Sequence, residues 1–168
     1  MDHDYFMQQA LCEAEDALNN GEFPVGCVLV YHNRIIVKSK RSGSTGLNPN
    51  EIDHAEMLAI KQLYSLNHST MLHHDITLYS TLEPCLMCFG AIILSGIRKI
   101  VYAYEDVMGG GTRCNLKEMP QLYHDHPLEI IPTILRKQSI DLFKQFFLNP
   151  NHMYWPKSLL SDYTLTQS

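Results

Sequence analysis

A chain of 168 residues, 45% hydrophobic and 18% charged, is long enough to bury one core and is balanced as globular domains are. No apolar run approaches the roughly twenty residues of a membrane span, because the longest stretch, residues 91–94, is cut off by Ser95-Gly96. A net charge of −5 with no block of Lys or Arg gives a polyanionic partner no long-range attraction and leaves that role to a local basic patch.

The start, Met1-Asp2-His3-Asp4-Tyr5, is acidic and lacks the basic-then-apolar order of a signal peptide, which predicts a cytoplasmic location. Phe6, Met7, Ala10, Leu11, Ala14, Ala17 and Leu18 recur at helical spacing, and Asn20-Gly21 ends that helix. Residues 25–31 read as an apolar strand, turned back by His32-Asn33 into a second strand over 34–38. Residues 39–53, rich in Ser, Gly, Asn and Pro, read as a loop. A helix follows, with Asp53 as its cap and Met57, Leu58, Ile60 and Leu63 along it. A third strand spans 76–80. Pro84 then opens a helix over 85–94, and strands follow at 99–104 and 128–131. Residues 139–148 form a last helix, with Ile140, Phe143 and Phe147 on one face. Strand and helix alternate after the opening hairpin, which predicts an α/β fold: a mixed five-stranded sheet with helices on both faces and parallel pairing of the third and fourth strands.

Two short motifs carry chemistry. His54-Ala55-Glu56 and Pro84-Cys85-Leu86-Met87-Cys88 supply one imidazole and two thiols, three ligands for a tetrahedral zinc with the fourth position open. A structural site closes all four positions with protein atoms, whereas an open one admits water. Cys85 and Cys88, three apart at a helix start, project from one face, and the helix dipole favours their thiolates. Two thiolates neutralise the metal's charge, so the water is acidified less than at an all-histidine site and needs a neighbouring base. Glu56 fits that need. Taken alone, Cys-x-x-Cys also suits a redox pair or half of a structural zinc site; joined in this order with His-x-Glu it is the signature of zinc nucleobase deaminases. Cys12, Cys27 and Cys114 read as reduced core thiols. Gly109-Gly110-Gly111 lacks the strand-to-helix context of a phosphate cradle and reads as a flexible loop. His73-His74, His124-Asp125-His126 and His152 read as exposed loop residues.

From Phe23 to about Phe147 the chain resembles the cytidine/deoxycytidylate deaminase superfamily. Pro24-Val25-Gly26, His54-Ala55-Glu56, the run Thr81-Leu82-Glu83-Pro84-Cys85-Leu86-Met87-Cys88, and Gly90-Ala91 are most similar to the branch holding tRNA adenosine, guanine and fungal-type cytosine deaminases. Thr81 to Cys88 is worded most like the tRNA adenosine deaminases. The resemblance implies a three-layer α/β/α domain of the cytidine deaminase type, one Zn2+ per subunit, hydrolytic loss of ammonia and a homodimer. It assigns residues 1–148 to the zinc-dependent deaminase domain and 149–168 to a tail that packs on the domain or roofs the pocket. It places Ala55 and Phe147 at the substrate.

The departures bear on substrate. That branch normally follows the second strand with an asparagine that hydrogen-bonds the substrate, and alignment from Arg34 puts Arg41 there. Asn offers donor and acceptor, while Arg offers only donors and a fixed charge, so an inward Arg41 favours an anionic or acceptor-rich substrate. The loop before His54 is one residue longer than usual, over 49–53. Leu148-Asn149-Pro150-Asn151 replaces the basic ending of the tRNA branch. These features favour a small purine or pyrimidine base, nucleoside or nucleotide, ahead of an adenosine in an RNA loop, which must be extruded or single-stranded to react. A non-catalytic zinc-binding partner subunit is the third reading, and the presence of Glu56 opposes it.

Overall fold

Asp2 caps the first helix, α1 (His3–Asn19), by accepting a hydrogen bond from Tyr5 N at 3.0 Å. The computed structural model describes residues 2–46, 48–66, 71–124 and 126–167. Strands β1 (Gly26–Tyr31) and β2 (Arg34–Lys40) form the expected hairpin. Its turn residues, His32 and Asn33, have φ of 47° and 62°, the left-handed pair of a type I′ turn. β2 runs two residues beyond the sequence expectation because Ser39 and Lys40 still pair with Cys27 and Gly26. The loop therefore begins at Arg41, and Leu47 within it lies outside the described residues.

Helix α2 (Ala55–Ser65) is followed by β3 (Ile76–Leu82), α3 (Leu86–Leu94) and β4 (Lys99–Tyr104). The short α4 (Gln121–His124), β5 (Glu129–Ile131), α5 (Arg136–Leu148) and α6 (Leu159–Thr166) complete the chain. The sheet has the order β2-β1-β3-β4-β5; β1 runs antiparallel to both neighbours, and β3, β4 and β5 are mutually parallel. The strands joined through α3 are thus parallel neighbours, as their separation by one helix predicted.

Alternation along the strands sorts the core into two layers. Val28, Val30, Tyr79, Val101 and Ala103 face α1, whose Phe6, Met7, Ala10 and Leu11 cover them. Cys27, Leu29, Leu78 and Ile100 face the opposite way, against Ala59, Ile60 and Leu63 of α2 and Phe89, Ile92 and Ile93 of α3. α1 lies so close to β1 that a Cβ on Gly26 would stand 2.1 Å from Ala10 O, which excludes any larger residue there. Among the expected core thiols Cys27 is buried and Cys114 half-buried, but Cys12 is exposed, because it lies on the outer side of α1. Among the described residues no helix is long and apolar enough to cross a membrane.

α6 was not anticipated from the sequence. Its signal was present but short: Ser158 caps it by accepting from Ser161 N, and only Leu160, Ser161 and Thr164 are buried along its eight residues. Thr164 Oγ1 and Tyr104 Oη are 2.8 Å apart in the interior, and Tyr163 stacks on Tyr104 with ring planes 9° apart. Arg136 of α5 links this end of the chain to the sheet, since its guanidinium donates to both carboxylate oxygens of Glu105 and to Gln167 Oε1. Tyr163 Oη also donates to Glu105, at 2.8 Å.

Burial opposes the Glu105 carboxylate, but Arg136 and Tyr163 outweigh it and lower its pKa from 4.5 to about 2. A depressed carboxyl pKa stabilises the fold fully above its unfolded value and loses that stabilisation as pH falls from about 4.5 toward 2. Glu105→Gln is expected to cost about 1.5–3 kcal/mol near neutral pH. Its urea melts should converge on those of the parent only as the pH falls to about 2; a stability gap that does not change with pH contradicts this.

Candidate active site

α2 and α3 pack against each other on the same face of the sheet, and neither begins with a conventional cap. The two cap positions are held by His54 (φ −63°, ψ 154°) and Cys85 (φ −66°, ψ 170°), both extended and neither making a side-chain capping bond. Asp53, expected to cap α2, lies one residue too early. Its carboxylate instead accepts from Asn50 Nδ2 and Lys61 Nζ, each at 2.7 Å. The side chains at both cap positions are left free to turn toward one another.

They converge. His54 Nδ1 is 3.5 Å from the Sγ atoms of both Cys85 and Cys88, and one ligand atom from each of the three residues lies within 4.8 Å of the others. One nitrogen and two sulphurs in that compass suit a zinc ion. Among the described residues this is the only such cluster of three His, Cys, Asp or Glu side chains. The histidines read as loop residues lie elsewhere: His73 Nδ1 contacts Ser95 O at 2.8 Å, and His124 Nε2 contacts Lys117 O at 2.6 Å. Asp125, between His124 and His126, lies outside the described residues.

The cluster is electrostatically coupled. A hydrogen bond from Cys88 pulls the Cys85 thiol down to about 4, helped by His54 and opposed by burial. Cys88 moves the opposite way, because the same bond holds its proton and its deeper burial and Glu56 disfavour a second charge. Burial disfavours the His54 imidazolium, yet Cys85 and Glu56 together raise its pKa.

Glu56 is 3% exposed and lies in the first turn of α2. Ser80 Oγ of β3 donates to its Oε1 at 2.9 Å, and its Oε2 is 3.6 Å from Cys88 Sγ. Burial raises its pKa, against the attraction of His54. Glu56, His54 and Cys85 line a small cleft with a cavity volume of about 60 Å³. Ala55 lines it too. Phe147 does not: it packs on Phe23, Phe143, Phe146 and His152, and the aromatic wall of the cleft is Phe23 with Tyr154 and Trp155 of the tail. Tyr154 and Trp155 are stacked, with centroids 4.8 Å apart and planes 16° apart.

Arg41 lines the same cleft and is 1% exposed. Its backbone N donates to Val25 O at 2.8 Å, which aims the side chain inward as β2 ends. Nη2 donates to Asn50 O at 2.7 Å and lies 3.5 Å from Tyr154 Oη and 3.6 Å from Glu51 Oε2. Nε and Nη1 are buried without a hydrogen-bond partner among the described residues.

Glu83, 1% exposed, does not cap α3. Its carboxylate accepts from Asp106 N at 3.1 Å, from Thr112 N at 3.3 Å and from the Thr112 hydroxyl. It thereby pins the 106–112 segment beside Cys85, where Gly111 N also donates to Pro84 O at 2.8 Å. The triple glycine, expected to be a flexible loop, is a packed one. A Cβ on Gly110 would stand 2.5 Å from the Glu83 carboxylate and 2.6 Å from Asp106 O.

A family model described as the cytidine and deoxycytidylate deaminase zinc-binding region matches residues 1–104. The chain is 36% identical over 155 residues to tRNA-specific adenosine deaminase 2 of Xenopus laevis, covering 87% of each. It is 35% identical over 144 residues to the tRNA-specific adenosine deaminase of Bacillus subtilis, covering 84% of this chain and 86% of that one. A solved structure from work on A-to-I editing by tRNA:A34 deaminases matches with a TM-score of 0.69 at 29% identity, over 82% of this chain and 98% of that one. A guanine deaminase from Nitrosomonas europaea shares the fold, with a TM-score of 0.68 at 20% identity over 86% and 84% of the two chains.

Gly110→Ala is expected to destabilise the protein by about 1–3 kcal/mol, the usual cost of overpacking a filled site. Thermal and urea melts measure it, and unchanged stability shows that Glu83 does not hold the segment in place.

Proposed function

The chain belongs to the cytidine and deoxycytidylate deaminase zinc-binding family and is a hydrolytic deaminase, and on that premise we propose that His54, Cys85 and Cys88 hold its zinc while Glu56 moves the protons. The observation that carries this reading is a buried carboxylate in contact with the three-ligand cluster yet outside it, with Glu56 Oε2 3.6 Å from Cys88 Sγ. When bound, zinc supplies a Lewis acid that makes water a stronger nucleophile near neutral pH.

The chain's own residues account for the remainder. Ser80 fixes one oxygen of Glu56 and leaves the other toward the cleft. Glu56 accepts a proton from the attacking water as its oxygen bonds to the ring carbon bearing the amine. It passes that proton to the adjacent ring nitrogen, then takes the remaining hydroxyl proton and delivers it to the departing amine. The carbon–nitrogen bond breaks, a ring carbonyl forms, and water plus amine become carbonyl plus ammonia. Phe23, Tyr154 and Trp155 wall the cleft with rings on which a planar base can stack.

The substrate we favour is a small purine or pyrimidine base, nucleoside or nucleotide, with Arg41 and Ala55 among its contacts. The net charge of −5 and a final helix without Lys or Arg support that preference over RNA. Adenosine in a tRNA loop is the second reading, favoured by relatives 35–36% identical that are tRNA-specific adenosine deaminases. A homodimer is proposed from the family resemblance and from Leu86 and Leu94, each more than half exposed on α3. Sedimentation showing a monomer at micromolar concentration rejects it.

Glu56→Gln should retain about one zinc per chain and the parent melting curve while losing roughly 10²–10⁴-fold in kcat. Near-parental turnover assigns the proton transfers to another residue. Ammonia release over bases, nucleosides, nucleotides and a tRNA anticodon stem-loop decides the substrate. A small-molecule substrate should show only mild salt dependence, whereas inosine formed in the stem-loop alone, falling steeply with salt, favours the second reading.

A further inference from the structure

Arg41 is a buried cation whose hydrogen-bonding capacity is only partly used. A guanidinium carries five N–H groups and no acceptor. Nη2 has Asn50 O, with Tyr154 Oη and Glu51 Oε2 nearby, but Nε and Nη1, which bear three of the five, are sealed from solvent without a partner among the described residues. Buried polar groups are almost always paired, so donors left unpaired beside a ligand cleft mark a place where a ligand completes the bonding. The same side chain lines the cleft that holds His54, Glu56 and Cys85.

What Arg41 lacks is acceptors rather than negative charge. The Glu51 carboxylate, 3.6 Å away, already provides a counterion and would repel an incoming phosphate. Among the described residues no Lys or second Arg lines the cleft to offset that repulsion. A neutral group rich in acceptors matches these surroundings better than an anion. Nucleobases differ in this respect. An oxo group carries two lone pairs, and in guanine and cytosine it lies next to a ring nitrogen or across from one that also accepts, the pattern guanidinium groups read. Adenine has no oxo group and pairs each reactive-edge acceptor with its amine donor, a pattern matched by the amide of Asn or Gln and not by a side chain made only of donors.

We propose that Arg41 selects for a base that bears a ring carbonyl one ring nitrogen away from the carbon whose amine is removed, of the guanine or cytosine type, and against adenine. The proposal rests on the cleft being the deaminase site. Tyr154 reinforces it by holding both members of the ion pair, since its hydroxyl donates to Glu51 at 2.7 Å and its ring centroid lies 5.9 Å from the Arg41 guanidinium carbon. The guanidinium is thereby fixed in orientation before a base arrives.

The test compares bases with analogues in which hydrogen replaces the oxo group and the ring N1–H becomes a bare nitrogen: guanine with 2-aminopurine, and cytosine with 4-aminopyrimidine, with adenine as a further ligand. Equilibrium binding to the zinc-loaded full chain carrying Glu56→Gln, which turns over too slowly to consume the ligand, isolates recognition from chemistry. In at least one pair the oxo member should bind about tenfold tighter or more, the scale of one charged hydrogen bond, and tighter than adenine. Adding Arg41→Gln should remove most of that gap. Equal binding within both pairs, a preference for adenine, binding of none of these bases, or a gap that survives Arg41→Gln overturns the proposal. If Arg41→Gln does not fold, the comparison within pairs decides by itself. The two readings fail separately: no ammonia from any substrate with parental Glu56 rejects the deaminase site, whereas ammonia from adenine but not from the oxo bases rejects only the role of Arg41.

Discussion

The site depends on one constraint: two helices must begin at the same point on one face of the sheet with their cap positions surrendered. Cap residues are usually Ser, Thr, Asp or Asn, and replacing them with non-capping side chains costs a helix about 1 kcal/mol. Here His54 and Cys85 hold both cap positions without capping. Their extended backbone directs the side chains away from their own helices and toward each other. The second turn position of α2 delivers Glu56, and the first turn of α3 delivers Cys88. The parallel pairing of β3 with β4 and the packing of both helices on Leu29, Leu78 and Ile100 fix that meeting point.

The polar groups around this point are buried, and each is tied to a different segment. Ser80 of β3 holds Glu56, Glu83 holds the backbone of 106–112, and Tyr154 of the tail reaches Arg41 and Glu51. Burial raises the Asp106 pKa, and Glu83 and Cys85 add to the rise against the N–H groups of Gly109 and Met108. The thiols of Cys85 and Cys88 would offset the charge of the zinc proposed to bind there.

Much of this was legible in the sequence because it follows from local rules. Period-two and period-3.6 patterns located the strands and the long helices, and His-x-Glu with Pro-Cys-x-x-Cys located the cluster. Asp53 was misassigned as a cap because the sequence alone does not reveal that His54, a residue that makes no capping bond, holds the cap position and that Asp53 pairs with Asn50 and Lys61 instead. The family resemblance puts Phe147 at the substrate, but its ring packs on Phe23 and His152 and does not line the cleft. The wall is built by Phe23 with Tyr154 and Trp155, the last two about a hundred residues from His54. Such long-range contacts carry no sequence periodicity. α6 was missed because eight residues with three buried positions fall below what periodicity resolves. Arg41 was marked as a departure, and only the fold reveals it to be inward, buried and short of acceptors.

Zinc K-edge X-ray absorption on the purified full chain tests the proposed centre most directly. Two sulphur atoms at about 2.3 Å and two lighter nitrogen or oxygen atoms are expected around the metal, one of the lighter atoms being exchangeable with solvent. Three or four sulphurs, or a spectrum that Cys85→Ser leaves unaltered, would show that the zinc is held elsewhere and that His54, Cys85 and Cys88 do not form the centre.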